Sequence, residues 1–127
     1  MNSAIIGLGS NIRPHANIQK AKKILDHKLT VIKESTFRIT EPIGGNNQPR
    51  FINGAVFLET CISIAELKFM LKAIETALGR KKSKNKNAPR TIDLDILVWN
   101  NQIVDPDVYT RGFLKDSIQE LFPGLIV

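Results

Sequence analysis

A chain of 127 residues with 43% apolar and 24% charged side chains can build one core, and it is too short for a second catalytic domain. Its single cysteine, Cys61, excludes an internal disulfide and a four-thiolate zinc site and points to a reducing, cytoplasmic setting. The net charge of +6 is concentrated: Arg80 to Arg90 holds six basic residues and no acid, and outside that stretch bases and acids balance, which argues for a focused anion-binding loop against a generally basic surface.

Ser3 to Leu8 is a short apolar run that predicts a buried strand, with Gly9-Ser10-Asn11 as a turn. From Pro14, a proline tolerated in a first helical turn, Ile18, Ala21, Ile24 and Leu25 recur at helical spacing until about Lys28. Leu29 to Thr40 is rich in β-branched and aromatic residues and reads as one strand, followed by a Pro, Gly and Asn loop over residues 41–49. Phe51 to Thr60 returns to strand. Ser63 and Glu66 then form a capping box ahead of Leu67, Met70, Leu71, Ile74 and Leu78, and Gly79 stops that second helix. After the basic loop, Thr91 to Trp99 is strand, and Lys115 to Leu121 has helical character before Pro123. The order β-α-β-β-α-β predicts an α+β, ferredoxin-like βαββαβ domain over residues 1–127, one antiparallel sheet with helices packed on one face. No apolar run approaches the roughly 18 residues of a membrane span, and the N-terminus lacks a leader's basic and long apolar regions.

Side chains alternate along a strand, so Asp93 and Asp95 share a face while Ile92, Leu94 and Ile96 take the other. Two adjacent carboxylates suit Mg²⁺, which takes one or two of them and completes its shell with water and phosphate oxygens; the alternative is a plain solvated strand face. Six nearby cations favour the metal and phosphate reading. Phe51 and Asn53 also share a face, either as an aromatic platform beside a hydrogen-bonding amide or as a core phenylalanine beside a strand-end asparagine. Gly7-Leu8-Gly9 lacks the further residues of a dinucleotide fingerprint or a P-loop, and His15 and His27 lack metal-ligand spacing and read as surface residues.

Gly9-Ser10-Asn11, Thr40 with Pro42-Ile43-Gly44, Gln48-Pro49-Arg50-Phe51-Ile52-Asn53, Glu75 with Gly79-Arg80, Pro89-Arg90-Thr91-Ile92-Asp93-Leu94-Asp95, Arg111-Gly112-Phe113 and Glu120-Leu121-Phe122-Pro123 together resemble the 6-hydroxymethyl-7,8-dihydropterin pyrophosphokinase family. The resemblance implies transfer of a pyrophosphoryl group from ATP to 6-hydroxymethyl-7,8-dihydropterin, giving AMP. It implies that Asp93 and Asp95 hold two Mg²⁺ ions arriving with ATP. Phe51 and Phe113 would sandwich the pterin ring, and Asn53, with backbone groups around Thr40 and Ile43, would read its polar edge. Arg80 and Arg90 would hold phosphates, with Glu75, Lys82, Lys86 and Arg111 completing the ATP site. It also implies a monomeric, cytoplasmic enzyme with neither nucleic-acid nor membrane partners. Asp105 stands where the family usually has histidine, and Lys82, Lys86 and Asn87 stand where arginine and tryptophan are frequent. Two alternatives accompany this reading: a family member that binds without turnover, and a ferredoxin-like RNA-binding module, which Asp93 and Asp95 on the sheet disfavour. Residues 81–88, with no apolar anchor, read as a lid over the triphosphate.

Overall fold

The computed structural model describes residues 1–44, 47–81 and 89–125. In chain order the elements are β1 (Asn2–Ser10), α1 (Pro14–Lys28), β2 (Thr30–Glu34), β3 (Arg38–Thr40), β4 (Phe51–Thr60), α2 (Ile64–Ala77), β5 (Asp93–Trp99), β6 (Gln102–Ile103), a 3-10 turn (Pro106–Tyr109) and α3 (Gly112–Leu121). The antiparallel sheet has the order β2-β4-β1-β5-β6, with β3 also paired to β4. No described helix is long and apolar enough to cross a membrane.

β1 is central and buried from Ala4 to Ser10, because both of its faces are covered. Ala4, Ile6 and Leu8 meet Ile18, Ala21 and Leu25 of α1 and Leu67, Leu71 and Ile74 of α2. Ile5 faces the other way and joins Ala55, Leu97, Val98 and Leu114, Ile118 and Leu121 of α3. The expected pair of helices thus lies on one face, but α3 covers the opposite one, and the expectation of helices on one face holds only for α1 and α2. The cause is the apolar surface that Ile5, Leu97 and Val98 present there. Burying each large aliphatic side chain of α3 against it stabilises by roughly 1.5–3 kcal/mol.

The predicted start, capping box and stop of the helices are present. Pro14 opens α1, and Ser63 and Glu66 exchange both hydrogen bonds of the box at the start of α2. His15 and His27 are exposed. Several boundaries differ from expectation. Gly9 and Ser10 extend β1, paired with Asn53 and Ile52, and do not form a turn. β5 begins at Asp93 and α3 at Gly112. The single strand expected over residues 29–40 is two strands, separated by buried Ser35. Ser35 donates its N–H to the Ala55 carbonyl, and its Oγ accepts from Ala55 N–H, both at 2.8 Å. A side-chain oxygen thereby replaces a backbone carbonyl in the ladder, and the chain bulges before β3 resumes pairing. Phe37 packs into the room left by Gly54, where any Cβ would overlap its ring. β6 was not anticipated; Asn100 and Asn101, both at positive φ (47° and 67°), form the two-residue turn that folds it back on β5.

Candidate active site

Sheet register places the chemistry. Gly9 of β1 lies between Asn53 of β4 and Asp93 of β5, and Gly7 lies between Ala55 and Asp95. Asn53, Asp93 and Asp95 therefore share the sheet face that α3 only partly covers. The two glycines leave a trough between the amide and the carboxylates, two strand spacings or about 10 Å across. Above it is a cleft of about 420 Å³, lined by Thr40, Ile43, Phe51, Asn53, Arg80, Arg90, Asp93, Asp95, Arg111 and Phe113 among others. All of the predicted site residues are in that wall except Glu75, Lys82 and Lys86. The two lysines, like most of the proposed lid, lie outside the described residues.

The amide side of the trough is preorganised. Asn53 Nδ2 donates to Thr40 Oγ1 at 2.7 Å, and Thr40 is paired with Phe51 across β3 and β4. Asn53 Oδ1 lies directly over Gly9, in space that a Cβ there would occupy. Phe51 and Phe113 are half-buried, on β4 and in the first turn of α3.

On the carboxylate side, Arg80 Nη1 bridges Glu75 Oε2 at 2.8 Å and Asp93 Oδ1 at 3.1 Å, and Arg90 Nη1 approaches the same Asp93 oxygen at 3.4 Å. Glu75 was expected to face nucleotide. It is instead buried, at 4% exposure, beneath Arg80, and it accepts from the Leu94 N–H at 2.8 Å. Its position was readable: Glu75 follows Leu71 by four residues and precedes Leu78 by three, which puts it on the apolar stripe of α2. Burial pushes its carboxyl above the ordinary value, opposed by the Leu94 amide and by Arg80. Glu75 therefore holds Arg80 in place.

Asp93 is likewise raised by burial, with Arg80, Arg111 and Lys72 opposing. Asp95 is pushed up to about 7, first by desolvation and then by the charges of Asp93, Asp105 and Glu75. Its side chain is exposed to the cleft, so solvent offsets part of that desolvation. Asp105 caps the 3-10 turn by accepting from Asp107 N–H at 2.9 Å, and its carboxylate adds negative charge near Asp95. Sequence reasoning missed Lys72. It lies three residues before Glu75 on α2 and lines both the main cleft and an adjoining cavity of about 390 Å³, whose wall includes Ile64, Leu71, Leu94, Ile96 and Val104.

Two local devices aim the arginines. Gly79, at φ 97°, ends α2 in a Schellman motif: Gly79 N–H donates to the Thr76 carbonyl and Arg80 N–H to the Glu75 carbonyl, both at 3.0 Å. A Cβ on Gly79 would meet nothing within 4 Å, so only its backbone conformation resists substitution. Gly79→Ala is expected to cost about 1 kcal/mol in urea unfolding; an unchanged midpoint would show that Arg80 is not held by this turn. Buried Asn11 joins the two loops. It exchanges hydrogen bonds with the Arg90 backbone, and its Nδ2 donates to Gln48 Oε1 at 3.0 Å and to the Pro49 carbonyl at 3.2 Å.

The profile of the 7,8-dihydro-6-hydroxymethylpterin-pyrophosphokinase (HPPK) family matches residues 5–123. The chain belongs to this family. The HPPK match therefore runs from within β1 to just beyond α3. A 2-amino-4-hydroxy-6-hydroxymethyldihydropteridine pyrophosphokinase of Bacillus subtilis is 34% identical over 94% of this chain and 78% of the relative. One from Pseudomonas aeruginosa is 36% identical over 94% of this chain and 80% of its own length. A folate synthesis bifunctional protein of Arabidopsis thaliana is 34% identical over 81% of this chain, which corresponds to 22% of that longer protein.

Proposed function

We propose that this HPPK-family chain transfers the β- and γ-phosphoryl groups of ATP, as one unit, to the hydroxymethyl oxygen of 6-hydroxymethyl-7,8-dihydropterin in folate biosynthesis, releasing AMP. The observation that carries the reading is the glycine-floored trough, with an amide and an aromatic ring on one side and two carboxylates and two arginines on the other. A flat heteroaromatic ring fits between Phe51 and Phe113, with Asn53 and the backbone near Thr40 and Ile43 pairing its polar edge. Its hydroxymethyl arm then points along the trough toward Asp93 and Asp95.

The donor set fits Mg²⁺. Asp93 and Asp95 offer only oxygens, and a carboxylate raised to about 7 by desolvation and then by acidic neighbours gains from a cation. Among the described residues there is no cluster of three or more ligating side chains, which suits an ion whose remaining ligands are water and phosphate. Asp93 and Asp95 would hold two ions arriving with ATP. When bound, the ions supply charge neutralisation and lower the pKa of the attacking hydroxyl. Asp93 would then release Arg80 and Arg90 to the phosphates. Glu75 keeps Arg80 within reach, Lys72 and Arg111 add positive charge, and Lys82 and Lys86 belong to the same reading. The hydroxymethyl oxygen bonds to the β-phosphorus as the bridge to the α-phosphate breaks, AMP leaves, and the hydroxyl proton passes to solvent. The smaller cavity, where Ile64, Leu71, Ile96 and Val104 meet Lys68, Lys72, Asp95 and Asp105, suits the nucleotide base.

A monomeric, cytoplasmic protein without nucleic-acid or membrane partners completes this reading, supported by the lone cysteine and by two acids on the sheet face. Incubation with Mg-ATP and hydroxymethyl-dihydropterin tests it, with AMP and the pterin diphosphate followed by phosphorus NMR. Both should appear in equal amounts. Binding of both substrates without AMP release would leave a pterin- and nucleotide-binding protein, and the proposed reaction would be wrong.

A further inference from the structure

We propose that Glu120 is a positioning residue that sets the spacing of the pterin pocket, by clasping the strand that carries Thr40 to the helix that carries Phe113. The inference rests on the assignment of Thr40, Asn53 and Phe113 to pterin binding. Four donors from one segment converge on this residue. Glu120 Oε2 accepts from Thr36 N–H and, at 3.2 Å, from Thr36 Oγ1; Oε1 accepts from Arg38 Nη2 at 3.3 Å; and the Glu120 carbonyl accepts from Lys33 Nζ at 3.2 Å. Lys33 thereby supplies a cation at the C-terminal end of α3, which has no basic residue in its own last turn.

The two parties to the clasp differ in what else holds them. α3 buries Leu114, Ile118 and Leu121, and Phe122 just beyond it stacks on Phe57 at 6.5 Å between ring centroids. β3 is three residues long and, among the described residues, pairs only with β4, with Ile39 66% exposed at the sheet's edge. Short edge segments of this kind open locally, so the clasp acts chiefly on β3. Arg38 is the register partner of Asn53, and Thr40, two residues on, accepts the Asn53 amide. Phe113 and Glu120 are seven residues apart on α3, two turns or about 10.5 Å along its axis and on the same side. One side of α3 therefore supplies a wall of the pocket and the tether for the opposite wall. Solvent-exposed ion pairs add little to global stability, and four bonds converging on an edge strand have their larger effect on where that strand sits.

The test compares Glu120→Gln, Arg38→Ala and the double variant. Pterin affinity is measured by calorimetry in the presence of a non-hydrolysable Mg-ATP analogue, and KM is measured for each substrate. Glu120→Gln is expected to weaken pterin binding about tenfold, the order of a lost charge-assisted hydrogen bond. KM for ATP should stay within about twofold, and the double variant should lose little more than the single ones. Unchanged pterin affinity in both single variants overturns the proposal. So does an equal loss for pterin and ATP together with a lowered melting temperature, which is the mark of a merely structural contact. Asn53→Leu separates the two levels: normal pterin binding there removes the pocket assignment and the clasp with it, whereas weakened binding there with normal binding in Glu120→Gln removes the clasp alone.

Discussion

Asp95→Ala is expected to abolish AMP release, by a factor of about a thousand or more, the scale of losing the charge that organises a transition-state site. The same change should stabilise the free protein above pH 7. The carboxyl of Asp95 has an ordinary value of 3.8 and is raised to about 7 in the fold. Between those values the unfolded chain has already lost its proton while the folded chain keeps it, so stability falls as pH rises through that window. Glu75 and Asp93, also raised, act in the same direction. Glu120, whose carboxyl is held low mainly by the Thr36 amide, acts oppositely but only near and below its ordinary value of 4.5. Thermal melts from pH 5 to 8 should show wild type losing stability toward neutral pH and Asp95→Asn losing less. Mg²⁺ alone should restore little of the loss and Mg-ATP much more, because the ion needs phosphate oxygens to complete its shell. Near-normal turnover in Asp95→Ala with the fold intact would show that the metal assignment is wrong.

Asn53→Leu should weaken pterin binding by about 1–3 kcal/mol for each ring group left unpaired, roughly 5- to 150-fold, with ATP affinity preserved. Gly9→Ala should reach the same outcome from beneath. Its methyl would occupy the position of Asn53 Oδ1 and push the amide off Thr40. The pairing of Gly9 with both Asn53 and Asp93 makes this glycine the floor of the trough, so the effect should be larger for pterin than for nucleotide. Calorimetry with pterin and a non-hydrolysable Mg-ATP analogue decides the matter. Unchanged affinity in Asn53→Leu would remove the pocket from this strand.

The sequence by itself determined the features that depend on a few neighbouring residues. Pro14, the Ser63 and Glu66 box and Gly79 set helix ends through local backbone groups, and the alternation of a strand was enough to put Asp93 beside Asp95 and Phe51 beside Asn53. The concentration of charge between Arg80 and Arg90 was equally plain, and Arg80 and Arg90 do line the cleft. Tertiary structure decided the rest. Ser35 splits an apparently continuous strand because its hydroxyl meets Ala55, twenty residues away. α3 lies on the second face because Ile5, Leu97 and Val98, scattered along the chain, present an apolar surface there. Helical periodicity puts Glu75 on the inward stripe of α2, but only the fold brings up Arg80 and the Leu94 amide, the partners that satisfy its buried carboxylate. The site itself exists only through register: a one-residue slip of β1 would send Gly7 and Gly9 to the opposite face and place the side chains of Ile6 and Leu8 between Asn53 and the two aspartates. Periodicity and capping are local interactions, whereas face, register and burial are chosen by the lowest free energy of the whole packed sheet.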